Sequence, residues 1–77
     1  MFWKVWKSTD GDLFVVEADS MDDALALARV HNPKLNTCQA CTEKETAELK
    51  TVLTNDADPV HIISKFFADR YFYWKEG

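Results

Sequence analysis

The chain has 77 residues, 47% hydrophobic and 13% aromatic, with two Gly and two Pro; this excludes a disordered or collagen-like chain and leaves one small globular domain, residues 1–77. A formal charge of −4 and a sequence pI near 4.9 have the wrong sign for general attraction to phosphate backbones or anionic lipid, so neither direct nucleic-acid binding nor membrane binding is expected. No stretch reaches the roughly 18 apolar residues of a membrane span, Met1–Trp6 is too short for a signal peptide, and two cysteines are too few for a disulfide framework, so a cytoplasmic protein is expected.

Residues 2–7 and 12–18 are rich in aromatic and β-branched types, and the Asp10-Gly11 pair between them accepts positive φ, which predicts a β-hairpin. In the second strand Phe14, Val16 and Ala18 fall on one face and Leu13 and Val15 on the other; in the first, Phe2 and Trp6 oppose Trp3 and Val5. Neither face is polar. The expectation is therefore that helices of this chain cover one face and a partner covers the other.

Ser20 is a suitable cap for a helix with Asp22 and Asp23 in its first turn, where the dipole favours acids. Met21, Ala24, Leu25 and Ala28 give its buried stripe, and Asn32-Pro33 stops it. Residues 33–41 read as a loop. Thr42 and Glu45 make a capping box leading into Leu49, Val52 and Leu53, which favours a helix, although residues 43–53 also alternate as a strand would. Asn55-Asp56-Ala57 reads as a turn, and Asp58-Pro59 as the start of a last helix running to about Trp74. On a wheel, Val60, Ile63, Phe67, Tyr71 and Trp74 form an apolar stripe that Ile62, Phe66 and Tyr73 widen. The other side carries His61, Ser64, Lys65, Ala68 and Asp69, with Phe72 among them. The fold class expected is α+β: an N-terminal β-hairpin followed by three helices, the last packed across the sheet.

The run from Phe14 to Ala28 resembles the strand-then-capped-helix opening of many small bacterial and phage proteins. That resemblance is a supersecondary pattern and implies no site residues.

Cys38 and Cys41 have the two-residue spacing of a zinc knuckle, with His31 and His61 as further candidate ligands, but a tight second ligand pair is missing. The spacing also fits a redox dithiol, yet thioredoxin-like proteins place it after a strand in a βαβ unit, and here it follows a helix and a loop. The usual nucleophile, phosphate-loop and metalloprotease motifs are absent, so a non-enzymatic protein without cofactors is expected. Aromatic residues gather at both chain ends, more than one small core is expected to absorb. This points to a protein-binding or regulatory module, homodimeric or with another protein partner, using Trp3, His61, Lys65, Phe72 and Trp74. Asp10, Asp12, Glu17, Asp19, Asp22 and Asp23 form an acidic surface, since residues 10–28 contain no Lys or Arg. One alternative is thus an acidic nucleic-acid mimic of the phage or mobile-element type; another is a small zinc-stabilised domain using Cys38 and Cys41.

Overall fold

Strict alternation along the first two strands organises the protein, whose computed structural model describes residues 1–8, 11–52 and 58–74. Strand β1 (Phe2–Trp6) pairs antiparallel with β2 (Leu13–Glu17), and the Gly11 amide donates to the Ser8 carbonyl across the connection at 3.1 Å. Asp10, assigned to that turn and to the acidic surface, lies outside the described residues, as do Leu53 and the turn at residues 55–57. Helix α1 (Met21–His31) follows, then strand β3 (Thr37–Ala40), helix α2 (Glu43–Val52), strand β4 (Val60–Ile63) and helix α3 (Lys65–Tyr71). The result is a small α+β fold with three helices and a four-stranded antiparallel sheet ordered β3-β1-β2-β4.

The N-terminal half follows its local signals. The Ser20 hydroxyl accepts from the Asp23 amide at 3.2 Å, Asp22 and Asp23 occupy the first turn of α1, and the helix ends at Asn32, before Pro33. The capping box of α2 is reciprocal: the Glu45 amide donates to Thr42 Oγ1 at 3.1 Å, and the Thr42 amide donates to Glu45 Oε1 at 2.8 Å. Residues 43–52 are helical, which resolves the helix-or-strand ambiguity there.

Two expectations are corrected. The supposed loop at residues 33–41 contains β3, whose Thr37, Cys38, Gln39 and Ala40 pair with Trp6, Val5, Lys4 and Trp3. Apart from Thr37 these residue types carry little strand propensity, and it is the open edge of β1 that orders them. The single helix from Pro59 to Trp74 is instead a strand, a seven-residue helix and an extended tail. Asp58 does not cap a helix; its Oδ1 accepts from the Val60 amide at 2.9 Å, a turn that launches β4. Val60 to Ile63 then lie opposite Val16 to Leu13. The cap of α3 is Ser64, in extended conformation, whose hydroxyl accepts from the Phe67 amide at 3.4 Å. The chain leaves α3 at Phe72, again extended at φ −118° and ψ 143°.

Both faces of the sheet are covered by this chain's own helices, so the face expected to await a partner is occupied by α1. There Val5, Val16 and Val60 pack with Ala24 and Ala28 of α1 and with Leu35. On the opposite face Trp6, Leu13, Val15 and Ile63 pack with Leu49 of α2, Ala68 of α3, Phe72 and Trp74. Each fully buried Val or Leu contributes about 1.5–3 kcal/mol, which is why neither face of the central strands has room for a polar alternation.

Candidate functional site

One charged side chain breaks the apolar pattern of β1. Lys4 points to the α2/α3 side of the sheet, where its Nζ donates to Glu45 Oε2 at 3.0 Å and to the Tyr73 carbonyl at 2.6 Å. The Tyr73 amide in turn donates to Glu45 Oε2 at 2.9 Å. A buried ion pair thus grips both backbone polar groups of one residue in the C-terminal tail. Burial opposes the charge on Glu45, but the Thr42 amide, the Lys4 ammonium and the Tyr73 amide outweigh it and hold the carboxyl below its usual range. Beside this clip, Trp74 meets Trp6 edge-on with ring centroids 5.9 Å apart, and its indole N–H donates to Asp69 Oδ1 at 3.1 Å.

The clip decides which aromatic rings face solvent, and it inverts the expected assignment. Phe72 and Trp74, expected at a partner surface, are only 6% and 8% exposed, and His61 is buried beside Val15 on the inner face of β4. Trp3 is half-buried, its indole N–H donating to the Ala18 carbonyl at 3.1 Å. Lys65 forms an i,i+4 pair with Asp69 at 3.2 Å. The residues placed in the apolar stripe of one long helix are split: Val60, Ile63 and Trp74 are buried, whereas Ile62 is 57% exposed, Phe66 87% and Tyr73 66%, with Tyr71 also exposed. The reason is geometric. A strand turns successive side chains by about 180° where a helix turns them by 100°, so changing element type at Ser64 and Phe72 scrambles any common wheel.

Among the acidic residues that are described, Asp12, Glu17, Asp19, Asp22 and Asp23 are all exposed. Three of them rim a surface hollow of about 620 Å³, with Glu17, Asp19 and Asp23 standing around Met1, Ala18, Ala26 and Leu27. No lysine or arginine lines it.

The sheet itself separates the candidate metal ligands. Cys38 packs on the α1 side, where His31 lies against Phe14 at a ring distance of 6.2 Å. Cys41 packs on the other side, the one His61 faces. Among the described residues, no three His, Cys, Asp or Glu side chains gather where they could hold a metal ion. Both thiols are free. Burial raises the Cys38 pKa, and burial, reinforced by the Glu45 carboxylate and Cys38 against the pull of Lys4, pushes Cys41 up to about 12. Burial thus favours the protonated thiol at both positions. Among the described residues, no helix is long and apolar enough to cross a membrane.

Sequence reasoning missed Lys4 and Glu45 as a pair, and it missed Ile62, Phe66 and Tyr73 as surface. A signal for the first was present: a lysine within the aromatic strand Phe2-Trp3-Lys4-Val5-Trp6 needs a carboxylate, and Glu45 opens α2. No protein-family model, curated protein or solved structure matches the chain.

Proposed function

We propose that this protein is a non-enzymatic protein-interaction module, cytoplasmic and without a cofactor, that contacts its partner through the apolar surface of residues 62–73. The observation that carries this reading is the exposure of Ile62, Phe66, Tyr71 and Tyr73 within twelve residues of chain, while the rings of Trp6, Phe72 and Trp74 are sealed in the core. Met1, Met21, Leu27 and Val30 are exposed as well, but the exposed Phe and Tyr rings, types enriched at interface centres, all belong to residues 62–73 among the described residues.

The test is a photo-crosslinking residue at Lys44, exposed on α2, compared with one at Phe66, both in cells. The reading expects adducts from position 66 that are weakened at least several-fold by Ile62→Lys, and few from position 44. Equal, unselective labelling at both positions overturns it.

A second reading has its own observation. The acidic hollow between β2 and α1 fits a basic protein segment, as in a nucleic-acid mimic, and competition for such a partner would weaken steeply with salt.

A further inference from the structure

The sheet has two edges, and they differ in character. The β3 edge runs Thr-Cys-Gln-Ala. The β4 edge runs Val-His-Ile-Ile, with no charged residue, no proline and no bulge, since Val60 to Ile63 match Val16 to Leu13 one to one. Of the devices by which proteins guard an open strand, it keeps its shortness and the proline just before it, and lacks a charged residue or a bulge within the strand.

The direction of its backbone groups follows from one bond. The Glu17 amide donates to the Pro59 carbonyl at 2.8 Å, so residues 59, 61 and 63 turn their polar groups toward β2, and residues 60, 62 and 64 turn theirs outward. Of the outward groups, the Val60 amide is held by Asp58 Oδ1 at 2.9 Å, and the Ser64 carbonyl accepts from the Ala68 amide. The Val60 carbonyl, both groups of Ile62 and the Ser64 amide have no partner among the described residues. Ser64 itself is extended, which continues the edge by one residue before α3 begins.

This pattern is complementary to itself. A two-fold axis at Ile62 sets Ile62 opposite Ile62 and Val60 opposite Ser64, so each Ile62 amide meets the other Ile62 carbonyl and each Ser64 amide meets a Val60 carbonyl. The groups already satisfied, on Val60 and Ser64, also fall opposite each other. The two exposed Ile62 side chains meet on the α1 side of the sheet, and the end of β4 that carries Lys65 in one copy comes beside the end that carries Asp58 in the other. Charge therefore agrees with hydrogen bonding. Strand pairing over so few residues covers less than the roughly 1,200 Å² of a stable interface, so Phe66, two residues beyond Ser64, has to contribute.

We propose that β4 pairs antiparallel with β4 of a second copy, joining two four-stranded sheets into one of eight across a two-fold axis at Ile62. This rests on the reading that residues 62–73 form the contact surface, and it names the occupant as the chain itself.

Sedimentation equilibrium of the purified full chain, from low micromolar to submillimolar, tests it. The proposal expects a reversible dimer, a dissociation constant raised at least tenfold by Ile62→Lys with the circular dichroism spectrum unchanged, and a smaller rise for Phe66→Ser. Because Ile62 faces itself, Ile62→Cys should form a disulfide-linked dimer on mild oxidation, whereas a control cysteine at exposed Ala47 should not. A monomer at every concentration overturns the proposal, as does a dimer indifferent to Ile62→Lys. If the pure chain is monomeric but crosslinking from Phe66 in cells still depends on Ile62, the partner is another protein: the second copy is then ruled out while the interaction surface stands.

Discussion

The two faces of the sheet are built on different principles. On the α1 face the buried side chains are all apolar and mostly small, with Ala24 and Ala28 letting the helix lie close to Val5 and Val16. On the α2/α3 face large rings are positioned by a buried polar clip, Lys4 and Glu45 holding Tyr73 while Trp74 settles against Trp6. A helix with a good cap and a defined stop needs only a smooth surface to dock on. A short helix followed by an extended tail has little local structure of its own, and specific polar contacts fix its position.

Breaking the clip should give the largest effect. Glu45→Ala leaves the Lys4 ammonium buried without its counter-charge and removes the acceptor of the Thr42 and Tyr73 amides, so we expect a loss of about 3–5 kcal/mol in urea unfolding. The double variant Lys4→Met, Glu45→Leu should recover a large part of that, because no unpaired charge remains. The pH dependence has a defined sign. Glu45 is held below its ordinary carboxylate value, so its contribution is complete above that value and disappears as pH falls through the acid range toward the lowered one. The double variant should lose this component of acid sensitivity.

Overfilling the α1 face is the intermediate test. Ala28→Leu inserts a branched side chain into a fully buried position, and about 1–3 kcal/mol of destabilisation is expected from urea unfolding. Smallest is Ser20→Ala, which removes the acceptor for the Asp23 amide and should cost about 1 kcal/mol. If Ala28→Leu proved as damaging as Glu45→Ala, the contrast between the two faces would not hold.

The same contrast explains what could be read from residues alone. The hairpin, α1 and the α2 capping box are each specified within a few neighbouring positions: Ser20 with Asp23, Asn32 with Pro33, Thr42 with Glu45. Strand β3 has no such signature, because Gln39 and Ala40 extend only in answer to Lys4 and Trp3 across the sheet. In the last third, the four residues of β4 are too few for alternation to stand out, and Val60, Ile63 and Phe67 mimic helical spacing while belonging to two elements. Exposure of Phe66 in place of Phe72 followed from that error. Exposure of Asp12, Glu17, Asp19, Asp22 and Asp23 needs no tertiary contact, because unpaired charged side chains stay in water.

The clip also bears on the order in which the protein takes shape as it is synthesised. Lys4 emerges from the ribosome ahead of both its acceptors and lies on a central strand, and those acceptors are separated from it by 41 and 69 positions. Until Glu45 and Tyr73 have both arrived the clip is incomplete, and a partly paired ammonium opposes drying of that face. Closure of the α2/α3 side is therefore expected to follow association of the hairpin with α1.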